Sequence, residues 1–380
     1  MRIYLSPPQQ TGKELDYLRQ ALETNYLAPA GPLLDELEAR IRALTGAGHA
    51  LALQSGTAAL HLAYRHLLDV RHRSGCPFRP LVIASSLSFI ASVAPAVQSG
   101  CDVWLVDAEP ESWTLDPLLL SRALSDARLE GRPVLCVVPT DLYGQRCDLS
   151  ALSGLCSPAG IPILSDSAEA LGAAVPSSTP RPWATVFSLN GNKIITASSG
   201  GLLVSDDGEL IAHARKLSQQ AREPAAHYEH CELGYNYRMS HLLAGVALAQ
   251  MDLLDERVRK RRRITEWYRE RLESVPGIQF MPEAVWNRCT RWLTVIQIHA
   301  DTFGATPGEI REALEAEDIE SRPVWKPLHL QPALRGLRMY DLGVSARLFA
   351  EGLCLPSGGA MTEGDVDRVC RVLLACGDGV

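Results

Sequence analysis

The stretch Ser188-Leu189-Asn190-Gly191-Asn192-Lys193-Ile194-Ile195-Thr196, with Gly200-Gly201 just beyond it, decides how the rest of the chain is read. It joins two β-rich runs, 185–187 and 201–204, through a polar, glycine-rich loop, and this predicts an antiparallel hairpin. Upstream, strand-like runs at 50–53, 81–84, 103–106, 134–138 and 161–164 alternate with helical patterns at 57–68, 89–99, 117–129 and 149–158. That alternation is the βαβ rhythm of a mostly parallel sheet layered with helices, so we expect an α/β fold with a large seven-stranded sheet carrying the hairpin. Downstream, long helical patterns at 242–254 and 257–273 stop at Pro276-Gly277. A strand-like 293–298, a helix at 306–317 opened by Pro307 and a closing helix at 363–374 follow. These predict a smaller C-terminal α/β domain, and we divide the chain at 1–245 and 246–380.

Composition excludes several functions. The 380 residues carry 37 basic against 44 acidic side chains, a net charge of −7, and no basic run interleaves with aromatics, so a nucleic-acid partner is not expected. The densest basic stretch, Arg257 to Arg263, reads as an exposed helix face. Ten cysteines, Cys76 among them, show neither a C-x-x-C pair nor zinc-type spacing, so they read as scattered buried thiols and no metal site is expected. Pro7, Pro8 and Gln9 stand where a secretion signal would be apolar. The most apolar segment, 81–97, is interrupted by Ser85, Ser86, Ser88, Ser92 and Pro95. Neither segment suits a membrane, and a cytoplasmic setting is expected.

Among 37 basic residues only five are lysines: Lys13, Lys193, Lys216, Lys260 and Lys326. Lys193 lies between strand and glycines, where a side chain projects into a cleft. A partly desolvated amine there is a candidate Schiff-base nucleophile, although the segment alone also suits a surface lysine. Ser55-Gly56-Thr57-Ala58 follows a strand and opens a helix, which offers backbone N–H groups to a phosphate or forms an ordinary capped turn. Asp166 stands at the carboxyl end of a strand, able to pair with a protonated pyridine nitrogen or to cap a helix starting near Ala168. Phe89 can stack on a planar ring or sit in the core, and Ser188 offers a hydroxyl five residues before the lysine. Phosphate cradle, ring aromatic, ring-nitrogen acid and lysine occur in the order of a fold-type I pyridoxal phosphate enzyme.

The chain resembles the DegT/DnrJ/EryC1/StrS family of nucleotide-sugar aminotransferases over nearly its whole length. The resemblance rests on Asn25-Tyr26-Leu27-Ala28-Pro29, Ser55 to Leu62, Phe89 to Pro95, Asp141-Leu142-Tyr143-Gly144-Gln145, Asp166 to Gly172, Asn190 to Thr196, His227-Tyr228-Glu229-His230, Gly234 to Ser240 and Arg322 to His329. The last three segments are most similar to the branch that makes UDP-4-amino-4,6-dideoxy-N-acetylglucosamine. The resemblance implies a pyridoxal phosphate bonded to Lys193, Asp166 at its ring nitrogen, Phe89 on its face, Glu169 near its hydroxyl, and Gly56, Thr57 and Ser188 at its phosphate. It also implies Asn236 reaching that phosphate from a second subunit of a homodimer. Asn25, Tyr26, Arg238, Trp325 and His329 are then the substrate contacts, with Arg238 and His329 at the diphosphate. The implied reaction transfers an amino group from L-glutamate to C4 of a UDP-linked 4-keto-6-deoxy sugar by a ping-pong route. Alternatives are a C3 or C4 aminotransferase on a dTDP- or GDP-linked sugar, or a non-catalytic regulatory binding protein on the same fold. Asp141 replaces the family's usual histidine, Ser167 a usual alanine, and 176–183 is unusually proline-rich.

Overall fold

In the computed structural model, which describes residues 1–73 and 79–377, the predicted strands lie in one sheet. They are β1 (His49–Leu53), β2 (Leu81–Ser85), β3 (Asp102–Val106), β4 (Val134–Val138), β5 (Leu164–Asp166), β6 (Ala184–Ser188) and β7 (Gly201–Ser205). The order β1-β7-β6-β5 continues through the parallel bridges Val137↔Ile163 and Thr140↔Asp166 into β4-β2-β3. β7 alone runs against its neighbours, pairing antiparallel with both β1 and β6, as the hairpin reading requires. The strands are apolar on both faces because both faces are covered. Leu51, Leu53, Val186 and Leu203 pack against the helices Gly56–Arg73 and Gly208–Ser218, while Ala50, Ala52, Phe187 and Val204 meet Pro32–Thr45 and His241–Met251 on the other side.

Several local expectations shift. β5 begins at Leu164 rather than 161, because Pro162 has no N–H for the ladder and contributes only its carbonyl, accepting from Val137 N at 3.0 Å. The helix expected at 89–99 is broken into a 3₁₀ turn, Ile90–Ser92, and Ala94–Gln98. An eighth strand, Arg338–Tyr340, was not legible. It joins the edge of β3 in parallel, so a C-terminal segment completes the large sheet.

The remaining strands, Ile278–Phe280, Thr294–Ile298, Arg322–Pro323 and Gly352–Leu355, form a separate antiparallel sheet. The helices Leu254–Leu272, Pro307–Ala316 and Glu363–Leu374 bury Tyr268, Leu314 and Val369 against it. The Pro307 helix starts on a capping box, with Thr306 and Glu309 exchanging hydrogen bonds. The chain's beginning also attaches here, Ile3 bridging to Ile319, and position 245 lies within the helix His241–Met251.

The basic run is an exposed face only in part: Arg259, Lys260 and Arg263 are exposed. Arg257 and Arg261, one turn apart, point inward, and Arg261 is 3% exposed. Its guanidinium donates to the carbonyls of Trp292 (2.5 Å) and Ser357 (2.9 Å) and to Ser6 Oγ (3.0 Å), and burial lowers its pKa to about 9. The cysteine reading holds for most thiols, but Cys231 is exposed, and Cys76 lies outside the described residues. Among those residues no helix is long and apolar enough to cross a membrane. Replacing Arg261 with Met leaves two buried carbonyls without donors, and the expected cost is about 3 kcal/mol. Denaturant unfolding measures it, and an unchanged midpoint would show that water takes over these partners.

Candidate active site

Lys193 sits in the β6–β7 connection with its side chain 12% exposed. Its Nζ lies 3.5 Å from Glu169 Oε1 and 4.1 Å from the centre of the Trp292 ring. Trp292 is fixed in turn by donating from Nε1 to the carbonyl of Asn192 at 2.8 Å. Glu169 is buried, with Oε2 accepting from Tyr143 N (2.9 Å) and Oε1 from Trp325 Nε1 (3.1 Å). Burial raises its pKa above the usual carboxylate range, against the opposing pull of Lys193.

Asp166, the last residue of β5, is buried at the carboxyl edge of the sheet. Oδ2 accepts from Ser92 Oγ at 2.5 Å and Oδ1 from Ala168 N at 3.1 Å, but no helix starts at 168, so Asp166 is not a helix cap. Burial pushes its pKa up, and the Ser92 bond and Lys193 hold it down. Asp141 adds to the upward push. It is buried behind Asp166 and accepts from Ser167 Oγ at 2.5 Å, so the two family departures touch each other, with Arg146 Nε 2.5 Å from the same carboxylate.

The expected phosphate residues come together. Ser55 Oγ accepts from Ala58 N at 3.0 Å, which sets the helix start, and a side-chain carbon at Gly56 would touch Ser188 Cβ at 3.5 Å. Thr57 is exposed in the first turn. A carbon added at Gly201 would overlap Ser55 and Gly56 backbone, so β7 can pass beneath this turn only as glycine. Phe89 is 53% exposed, 5.3 Å from the Trp325 ring, and His329 Nδ1 lies 2.7 Å from Ser86 Oγ.

The other expected contacts lie elsewhere in the chain. Tyr26 packs on His241, Asn25 is exposed beside it, and neither contacts the Lys193 group among the described residues. Arg238 is buried, donating to Glu38 Oε1 and to the carbonyl of Ala52, both at 2.6 Å. Its guanidinium is therefore engaged in the interior rather than open to a diphosphate. Asn236 is exposed and borders, with Arg238 and Arg222, a separate cavity of about 450 Å³. Asp69, His213 and Glu232 gather ligand-type atoms, yet Arg65 lies 3.1 Å from Asp69 and Lys216 2.9 Å from Glu232, so each carboxylate already faces a cation.

Tyr143, Trp292 and Ser92 were missed as site residues. Tyr143 lay inside a quoted segment, and Ser92 was visible as a hydroxyl in an apolar run. Trp292, 99 positions from Lys193, had no local signal.

A family model described as the DegT/DnrJ/EryC1/StrS aminotransferase family matches residues 8–374. The chain belongs to that family. It is a pyridoxal phosphate-dependent nucleotide-sugar aminotransferase of the EC 2.6.1 type. It is 42% identical over 379 residues to EpsN of Bacillus subtilis, which is named as a pyridoxal phosphate-dependent aminotransferase, covering 98% of this chain and 95% of that one. It is 32% identical over 376 residues to GDP-perosamine synthase of Caulobacter vibrioides, covering 98% and 97%. The crystal structure of DesI with its TDP-sugar product superposes with a TM-score of 0.87 at 28% identity, over 99% of this chain and 93% of that one.

The residues present fit pyridoxal phosphate. Asp166 is a buried carboxylate with two neutral donors, and a protonated ring nitrogen would supply a cationic one. Without it, ionisation of Asp166 opposes folding. A carboxyl group with a raised folded pKa contributes stability at pH below the ordinary Asp value of about 3.9, and loses it as pH rises through the folded pKa. In cofactor-free protein, wild-type stability relative to Asp166→Asn should therefore decline with rising pH. A difference flat in pH would contradict the raised pKa.

Proposed function

We propose that this chain transfers an amino group from L-glutamate to C4 of a UDP-linked 4-keto-6-deoxy-N-acetylhexosamine, in two half-reactions. The observation that carries the chemistry is a mostly buried Lys193 amine between the Glu169 carboxylate and the Trp292 face. Pyridoxal phosphate, when bound, supplies the electron sink for a carbanion at the amine-bearing carbon. Gly56, Thr57 and Ser188 hold its phosphate, joined by Asn236 of a second subunit. Asp166 holds the proton on the ring nitrogen, and Phe89 covers one face of the ring. Lys193 Nζ takes a proton from Cα of glutamate in the first half-reaction and delivers one to C4 of the sugar in the second. Glu169 keeps the amine oriented over Trp292 between these transfers, and Trp325 excludes water beside Phe89.

Room for the sugar nucleotide exists beside this group. A cavity of about 750 Å³ is bordered by Tyr4, Asn192, Trp292, Arg322, Trp325 and Lys326. Lys326 and Arg322, the latter exposed and paired with Glu320 at 2.9 Å, bring cationic groups suited to a diphosphate, a role the buried Arg238 is not free to fill. The Arg322 to His329 segment supports the UDP-sugar branch. The relatives named GDP-perosamine synthase and the TDP-sugar complex of DesI favour a second reading, in which a GDP- or dTDP-linked keto-deoxysugar is the acceptor. A homodimer and a cytoplasmic location complete the proposal.

Lys193→Ala should leave the fold intact and reduce turnover by at least about 10³-fold, since it removes both covalent attachment and proton transfer. Enzyme first charged with glutamate and then given UDP-, GDP- and dTDP-linked 4-keto-6-deoxy sugars, with mass spectrometry of each product, ranks the acceptors. The proposal expects amination of the UDP sugar first, and preference for a GDP or dTDP sugar would establish the second reading.

Shared sites make a further prediction. Lys193→Ala and Asn236→Ala, each inactive alone, should regain activity when co-refolded, because a mixed dimer contains one site with neither change. No recovery, in a sample shown by capture of differently tagged copies to contain mixed dimers, would mean that Asn236 serves its own subunit's site and not the partner's.

A further inference from the structure

A chain of three hydroxyls ends on Asp166. Thr140 Oγ1 donates to Ser88 Oγ at 2.9 Å, the Ser88 and Ser92 hydroxyls are 2.5 Å apart, and Ser92 Oγ donates to Asp166 Oδ2 at 2.5 Å. All four side chains are buried. A hydroxyl has one proton, and an ionised carboxylate only accepts. Ser92 therefore spends its proton on Asp166 and accepts from Ser88, which accepts from Thr140. The alternative acceptor for Ser88, the Phe89 carbonyl, is farther away at 3.3 Å. Hydrogen bonds running in one direction polarise one another, so the chain delivers a stronger donor to Asp166 than a lone serine would.

The backbone fixes each link. Tyr64 OH donates to the Ser92 carbonyl at 2.6 Å, pinning the 3₁₀ turn Ile90–Ser92. Thr140 N donates to Ser85 Oγ at 3.0 Å, tying the end of β4 to β2. The titratable groups facing Asp166 are Lys193, Asp141, Glu169 and Tyr64, and Lys193 alone among them favours its charged form.

We propose that Ser92 is a positioning residue whose hydroxyl, backed by Ser88 and Thr140, holds Asp166 as an oriented carboxylate facing the cofactor's ring nitrogen. The proposal rests on the pyridoxal phosphate reading above. Removing the hydroxyl makes Asp166 more basic, and it draws the ring-nitrogen proton toward itself. Electron withdrawal from the Lys193-linked nitrogen weakens, and that nitrogen keeps its proton to higher pH.

The test uses full-length wild type, Ser92→Ala, Ser92→Thr and Ser88→Ala, each reconstituted with pyridoxal phosphate and checked for stoichiometry. The readouts are the pH midpoint of the bound cofactor's visible band, then kcat and KM for glutamate. For Ser92→Ala the midpoint should rise by about one pH unit and kcat fall about tenfold, with KM within about twofold. Ser88→Ala should move both in the same direction by less, and Ser92→Thr should restore them. An unshifted midpoint and kcat in Ser92→Ala, with only a lower melting temperature, would overturn the proposal and leave Ser92 structural. A wild-type protein that forms no visible band at all would overturn the cofactor reading, and this proposal with it.

Discussion

A side chain at position 201 would collide with the Ser55–Gly56 backbone, and much of the site depends on the space that glycine leaves. Because β7 can run beneath that turn, it pairs with β1 and β6 at once and closes the sheet between them. The same approach brings the helix start at Gly56 against Ser188 at the end of β6. Five residues on, the β6–β7 connection presents Lys193. One steric constraint thus sets the contact of Gly56 with Ser188, the sheet order and the position of Lys193 together.

Around that frame the chemistry is a problem of buried charge. Asp166, Glu169 and Asp141 lie close together out of water, and burial raises the pKa of the first two. Such a cluster persists because each oxygen has a donor. Ser92 and Ala168 serve Asp166, Tyr143 and Trp325 serve Glu169, and Ser167 and the Cys147 N–H serve Asp141. The aromatic wall of Tyr143, Trp292 and Trp325 supports this arrangement by stacking, with Tyr143 and Trp325 nearly parallel at 6.4 Å.

Features written locally were legible in the sequence. The hairpin around Lys193, the helix start after Ser55, and the terminal helix Glu363–Leu374 each follow from periodicity and caps within a dozen residues. What depended on long-range partners was not. Arg257 and Arg261 looked like surface because charge usually is, and distant acceptors, the carbonyls of Gln9, Trp292 and Ser357 and the side chains of Ser6 and Gln250, make their burial tolerable. Arg238 looked like a diphosphate ligand until Glu38, 200 positions away, claimed it. The serines at 88 and 92, read as interruptions that disqualify a membrane span, turn out to be hydrogen-bonded toward Asp166. The edge strand at 338–340 is three residues long and had no pattern to show.

The central claim is that Lys193, out of five lysines, carries the cofactor. Borohydride reduction of pyridoxal phosphate-loaded protein, followed by proteolysis and peptide mass spectrometry, tests it directly. The account predicts one stoichiometric pyridoxyl adduct, on the peptide containing Lys193. An adduct on Lys13, Lys216, Lys260 or Lys326 instead, or none at all, would contradict it.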